Sequence, residues 1–568
     1  MRSSRALRLI VAIAVFGTVG FLLRGYVTDD TFIHLRYLQN LLDRGEFSFN
    51  PGDPTYGATS PLWIFGLALL VKLGLGPMVA AWVLGAVSGL ILILAADAVI
   101  ERMTFAPHWK FALMLLVVSD VWFLRWAFSG METPLATALL VVLLLPLVSR
   151  RTSGPMWHRY LAWGVGAGLA GLVRPEYLVM VPLALPWLLW FEYFRAGGME
   201  GRSGRHQARP HAPVLACISG WLLVVLPWLV YAWFSFGRIV PETASAKSVG
   251  FSLNPLVWFP YIYRSVGILA VAQGIIWVGL FLLIILILRR HKYLENFQTR
   301  DQAQEHHQVR RAGESGSEKV GTGPWSIWGP VALVGIMLTW AVVLLGGLAV
   351  RQVWVISRYV SPLAPVILLA LSVVAEWLMQ GVAVTVAIRK TGRAIIFVSI
   401  VATLVLNWWV FTSQVLPHTR QFPVGVRECY LELGDWLRSN TPEDAVVAAL
   451  DIGALGFASD RTVLDLMGLV SPRIMELGHE MGFEEMVTSG AWLTAGTRSG
   501  EPGRIPDFFV DRSEGIPRWD GKTIHGVRFE LLDTCVISGL GLSEPQPWTV
   551  ALYRLVAGET RVKSSMGG

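Results

Sequence analysis

PLWIFGLALLVKLGL, residues 61–75, is the stretch on which the fold turns, because counting it as a membrane span reverses the side of every later loop. It is apolar, but about 15 residues at 1.5 Å each reach only roughly 22 Å, short of a hydrocarbon core of roughly 30 Å. The clear candidate spans lie at 6–23, 78–100, 111–127, 133–149, 160–173, 176–191, 214–236, 265–288, 326–349, 360–380 and 394–412. Loop charge decides how 61–75 is counted. If it lies along the interface, the cytoplasmic loops hold Arg102 and Lys110; Arg150, Arg151 and Arg159; Arg195, Arg202, Arg205 and Arg209; Arg289, Arg290 and Lys292; and Arg389, Lys390 and Arg393. They then share a side with the basic start Arg2, Arg5 and Arg8, as the positive-inside rule requires. The sequence thus predicts a polytopic α-helical membrane protein with about 11 transmembrane helices, a cytoplasmic N-terminus and an interfacial amphipathic helix near 61–75.

Composition agrees with that reading. Of the 568 residues 54% are hydrophobic and 15% charged, whereas soluble domains carry about 25% charged residues. The net charge of +7 resides largely in short inter-span loops, a topology signal rather than a nucleic-acid footprint. No small-residue cleavage site follows the first apolar run, so it reads as an uncleaved span. The polar run 291–325, with His306, His307, Arg310 and Arg311, reads as a cytoplasmic loop with solvated histidines.

From residue 413 the chain becomes charged and turn-rich. DAVVAALDIGALGF (444–457) and RTVLDLMGL (461–469) read as strands joined by a Gly-containing turn, with DFFV (507–510) and WTVALYRL (548–555) as further strands. The expected organisation is a membrane domain, 1–412, followed by a small extracytoplasmic α/β domain, 413–568. Cys429 and Cys535 can pair if this tail faces an oxidising compartment, while Cys217 lies in a span.

With this topology the outer side collects Asp29 and Asp30 after the first span, Glu132 in SGMETP, Arg174 and Glu176 in VRPEY, Glu242 and Lys247 in RIVPETASAK, and Arg358 in SRYVSP. Each has an ordinary explanation. Asp29 or Asp30 can cap the helix that follows, Arg174 can snorkel to the interface, and the others can be loop-end charges. Their gathering on one side, from five separate loops or span ends, favours a site, because ionisable groups near membrane depth are costly and tend to line cavities. Carboxylates with several fixed cations suit chemistry on an anionic phosphate: a carboxylate accepts the proton of an attacking hydroxyl, and arginine and lysine hold the phosphate as it leaves. Nucleotide-activated donors are not normally present outside the cytoplasm, so a lipid-linked phosphate is the expected donor class. Between Asp30 and Arg44, Phe32, Leu35, Leu38 and Leu42 fall near one face and Arg36, Gln39 and Asp43 elsewhere, an amphipathic surface helix. NPGDPTYGATSP (50–61) is a turn-rich loop able to close over a substrate.

The stretch YVTDDTFIHLRYLQNLLDRGEFSFNPGDPTYGATSPLW (26–63) resembles the first external loop of bacterial GT-C fold glycosyltransferases, especially the group of mycobacterial cell-wall arabinofuranosyltransferases. SGMETPL, GLVRPEY, FGRIVPETASAK and SRYVSP extend the resemblance in the same order, and LDIGALGFASDRTVLDLMGLVSP (450–472) looks like the family's strand and turn after the membrane domain. The resemblance implies a polyprenyl-phosphate sugar donor and inversion in a single displacement onto an extracytoplasmic glycan, lipid or protein. It implies arabinofuranose or another pentose or hexose as the sugar, and the bacterial cytoplasmic membrane as the location. Asp29 or Asp30 would be the general base, undivided at this level. Glu132, Arg174, Glu176 and Lys247 match family positions that bind donor phosphate or substrate, and Arg358 and His34 join them on the same face. His34 reads as an interfacial histidine with no metal role. At Glu242 the chain departs from the asparagine the resemblance leads one to expect. Some enzymes of the family use a divalent metal and others do not, and no DxD motif or histidine cluster decides between them. Two other classes compete: a lipid or polysaccharide transporter or flippase, which needs mid-span charges that most of these spans lack, and a non-catalytic envelope assembly protein.

Overall fold

In the computed structural model, residues 2–148, 156–197, 211–246, 248, 250–305, 328–381, 386–496, 504–542 and 546–557 are described. The long apolar runs fold as helices because a backbone without water must satisfy its own polar groups. Among the described residues six helices are long and apolar enough to cross a membrane: Ser3–Leu22, Pro77–Glu101, Ala212–Phe236, Pro255–Leu286, Ser357–Glu376 and Lys390–Asn440. Shorter apolar helices include Pro61–Lys72, Pro107–Val118 and Thr133–Leu144. The 12 residues of Pro61–Lys72 amount to about 18 Å of helix, too short to cross.

Three runs fold differently from their sequence pattern. The run 111–127 is not one helix. Buried Asp120 interrupts it and caps Val121–Ala127, accepting from the Trp122 and Phe123 amides at 3.1 and 2.9 Å, and Gln273 Nε2 donates to its other oxygen at 2.8 Å. The second exception is the last long helix, which does not stop near residue 412. From Val386 it continues through π-turns at Phe411–Val415 and Val426–Leu431 to Asn440, so the chain enters the C-terminal domain as a helical stalk. The helix starting at Pro255 likewise runs on to Glu305, while His306, His307, Arg310 and Arg311 lie outside the described residues.

The C-terminal domain contains one six-stranded sheet, ordered β2-β1-β3-β6-β5-β4. Its strands are β1 (Val446–Ala449), β2 (Thr462–Asp465), β3 (Phe508–Glu514), β4 (Thr523–Ile524), β5 (Val527–Ile537) and β6 (Trp548–Ala557). Because β1 and β2 are parallel, a tight turn cannot join them. The segment expected as a turn is instead the crossover helix Gly453–Ser459. A disulfide between Cys429 and Cys535 fastens the stalk to β5. Tyr26, Phe32, Tyr37 and Phe49 of the first loop share one buried core with Tyr430, Leu455 and Val463 of the C-terminal domain. The helix Asp29–Asp43 is therefore not a surface helix: Arg36 is 0% exposed, because the C-terminal domain covers the face that the sequence pattern leaves to solvent.

Candidate functional site

Thr28 holds the N-cap position of the helix Asp29–Asp43, so neither aspartate is its cap. Both stand in its first turn, where negative charge suits the helix dipole. Successive helical residues point about 100° apart, and the doublet separates accordingly. Asp30, Ile33 and His34 line a cavity. Asp29, Phe32 and Arg36 face the crossover helix instead. Asp29 accepts from the Gly453 and Ala454 amides at 3.0 and 2.8 Å, the Phe32 ring lies 5.7 Å from that of Phe457, and Arg36 pairs with Asp460 while its Nε donates to the Phe49 carbonyl at 3.1 Å. Burial, with Asp451 and Asp30 nearby, pushes the Asp29 carboxyl up to about 7 against the pull of the two amides.

The cavity has a volume of about 450 Å³. Its polar side assembles Asp30, His34, Glu132, Arg174, Glu176 and Arg358 from four separate stretches of chain. Arg358 forms an ion pair with Asp30. Arg174 donates through Nε to Glu176 at 2.6 Å, and through Nη1 to Glu132 at 3.2 Å and to the Arg358 carbonyl at 3.1 Å. Burial alone would raise the Glu132 carboxyl, but Arg174, His34 and Arg358 bring it below its ordinary value. Among the described residues, Glu132 Oε2 is buried with no hydrogen-bond partner. Val343, Leu344, Gly347 and Leu348, from the apolar helix Trp328–Val350, form a second, greasy wall, and Leu469 reaches in from the C-terminal domain.

Local packing holds these stretches in register. Thr31 Oγ1 donates to the Ser129 carbonyl at 2.9 Å. Gly130 next to it has φ +78°, and a Cβ there would stand 2.6 Å from the Thr31 methyl, so only glycine fits. Trp126 Nε1 donates to Ser357 Oγ at 3.0 Å, joining the segment before Glu132 to the one that carries Arg358.

Comparison with known proteins adds the following. A family model described as "Domain of unknown function (DUF8728)" matches residues 419–539, less than half of the chain. No curated protein matches. The chain is similar to a structure of ArnT from Cupriavidus metallidurans bound to undecaprenyl phosphate, at 13% identity and a TM-score of 0.49, covering 96% of this chain and 97% of that one. It is similar to the apo oligosaccharyltransferase of Archaeoglobus fulgidus at 11% identity and a TM-score of 0.49, over 89% of this chain and 69% of the other. The arabinofuranosyltransferase AftD from Mycobacteria matches at 15% identity and a TM-score of 0.46, over 97% of this chain but 41% of its own length. At these scores the functional assignment has to come from the site's own chemistry.

Three residues stand apart from the sequence expectation. Lys247 lies outside the described residues. Glu242 does not line the cavity although its neighbours Pro241 and Thr243 do. Its amide donates to the Tyr56 carbonyl at 2.9 Å and its carboxylate meets Arg238 at 3.2 Å. Burial pushes that carboxyl up to about 7 despite Arg238, so Glu242 ties its loop to the first external loop. Arg351, absent from the sequence reading, also lines the cavity; a cation at the end of an apolar run and seven residues before Arg358 was the available signal. Among the described residues no group of three or more His, Cys, Asp or Glu is arranged to hold a metal.

Proposed function

We propose that this protein is a membrane glycosyltransferase that moves a sugar from a polyprenyl phosphate to an extracytoplasmic acceptor, with Asp30 as the general base. The observation that carries the reading is the cavity itself, where three carboxylates, two buried arginines and an apolar wall meet, with Asp30 ion-paired to Arg358. The apolar wall suits an isoprenoid tail. Arg174 and Arg358 suit the phosphate, their guanidinium groups being able to bind its oxygens in pairs. In the reaction the acceptor hydroxyl oxygen attacks the anomeric carbon as its proton passes to Asp30. The bond from that carbon to the phosphate oxygen breaks on the opposite face, and the lipid phosphate leaves with the electron pair. The configuration inverts. The arginines stabilise the charge gathering on the leaving phosphate, and the ion pair with Arg358 fixes where Asp30 stands. Glu132 Oε2 is available to a sugar hydroxyl.

The cavity belongs to the extracytoplasmic side in this reading, with the N-terminus in the cytoplasm of a bacterial cell. The basic loops support this orientation, as does the Cys429–Cys535 disulfide, since such bonds persist in oxidising compartments. Purified protein incubated with a panel of polyprenyl-phosphate pentoses and hexoses, arabinofuranose among them, tests the proposal. Wild type should transfer one of them and Asp30→Asn should lose nearly all transfer. Full activity in Asp30→Asn would remove Asp30 as the base, and no transfer of any donor would remove the enzyme reading.

A further inference from the structure

We infer that Asp29 is a positioning residue: it locks the C-terminal domain onto the helix that carries Asp30, so that docking of this domain sets where the base stands. The inference rests on the proposed role of Asp30. Both carboxylate oxygens of Asp29 are engaged by backbone amides of the crossover helix, Oδ2 by Gly453 and Oδ1 by Ala454. The approach is so close that a Cβ on Gly453 would lie 2.1 Å from the Asp29 carbonyl and 2.6 Å from its Oδ2. Only glycine at 453 admits the contact.

The same seam is fastened along its length. One helical turn beyond Asp29, Phe32 meets Phe457, and the next turn brings Arg36 to Asp460. Asn50 exchanges two 2.9 Å hydrogen bonds with the backbone of Val463 in β2. A Cβ on Gly57 would stand 2.5 Å from Val470, whose neighbour Leu469 lines the cavity. The first external loop is thus clasped by a domain that lies more than 400 residues later in the chain. Because Asp29 and Asp30 are consecutive in one rigid helical turn, a shift of the former moves the latter, and displacing a reacting group by about 1 Å can cost about 100-fold in rate.

Full-length protein carrying Asp29→Asn, Gly453→Ala or Asp30→Asn separates the roles. Asp29→Asn and Gly453→Ala should each lower kcat by about 10- to 100-fold with the donor KM nearly unchanged, and amide exchange around residues 453 and 454 should quicken. A cross-link through Phe32→Cys and Phe457→Cys in the Asp29→Asn background should restore most of the lost kcat. Unchanged kcat and exchange in Asp29→Asn would overturn the inference. So would an Asp29→Asn enzyme that stays inactive when cross-linked while Asp30→Asn remains active, for Asp29 would then itself be the base. Absence of transfer by the wild type would instead remove the reading of Asp30, leaving amide exchange to decide whether Asp29 docks the domain.

Discussion

Arg358 joins the groups of the candidate site: its guanidinium pairs with Asp30 and its carbonyl accepts from Arg174. A lysine there would supply charge without the planar fork. Arg358→Lys should lower kcat by about 10- to 100-fold, more than it raises the donor KM, if the group acts chiefly as charge develops on the phosphate. Steady-state kinetics with a defined donor measure this, and a rise in KM alone would assign Arg358 to ground-state binding. Gly130 is the second decisive residue. Its positive φ and the 2.6 Å approach of a Cβ to Thr31 mean that Gly130→Ala should destabilise the fold by about 1–3 kcal/mol. A thermal-denaturation comparison checks it.

Helix Asp29–Asp43 is the element with two jobs, one face turned to the cavity and the other to the crossover helix. Arg36 is buried on the second face with Asp460 as its partner. Arg36→Ala removes both this pair and the hydrogen bond to the Phe49 carbonyl, so it should loosen the seam, read as faster proteolysis of the C-terminal domain. The stalk that leads into that domain is held independently by the disulfide between Cys429 and Cys535, which closes a separation of 106 residues. Cys535→Ser should lower the domain's stability by about 2–5 kcal/mol, measured by denaturant unfolding with reduced wild type as the control. Equal stability of oxidised and reduced wild type would contradict it.

Across the whole molecule, the seam between the two domains collects buried carboxyls. Burial raises Asp29 from 3.8 and Glu242 from 4.5 to about 7, and Asp465 from 3.8 to about 6. A raised folded-state value means that the folded protein binds more protons than the unfolded chain through this window. The associated stability is full below about pH 4 and is lost as pH rises through about 6 to 7. Thermal unfolding should therefore give a higher midpoint at about pH 5 than at about pH 8, and Asp29→Asn should reduce the difference. Glu132, held below its ordinary value of 4.5, acts in the opposite sense, but its stabilisation is lost only as pH falls below the ordinary carboxylate range. A midpoint that rises with pH between these points would contradict the assignment.

The sequence by itself determined the apolar helices, the short reach of 61–75 and the candidate charges carried by separate external loops, because hydrophobic run length and loop charge are local quantities. It also brought into view most of the residues that meet in the cavity, since Asp30, His34, Glu132, Arg174, Glu176 and Arg358 could all be picked out as polar groups on one expected side. What it left open was which of Asp29 and Asp30 faces the cavity. Adjacent positions carry the same side chain, and nothing local distinguishes them. The tertiary structure separated them by setting a cavity against one helical face and the crossover helix against the next. The same long-range contact turned Arg36 from an expected surface residue into a buried one. It depends on the meeting of segments more than 400 residues apart, which no window of local sequence contains.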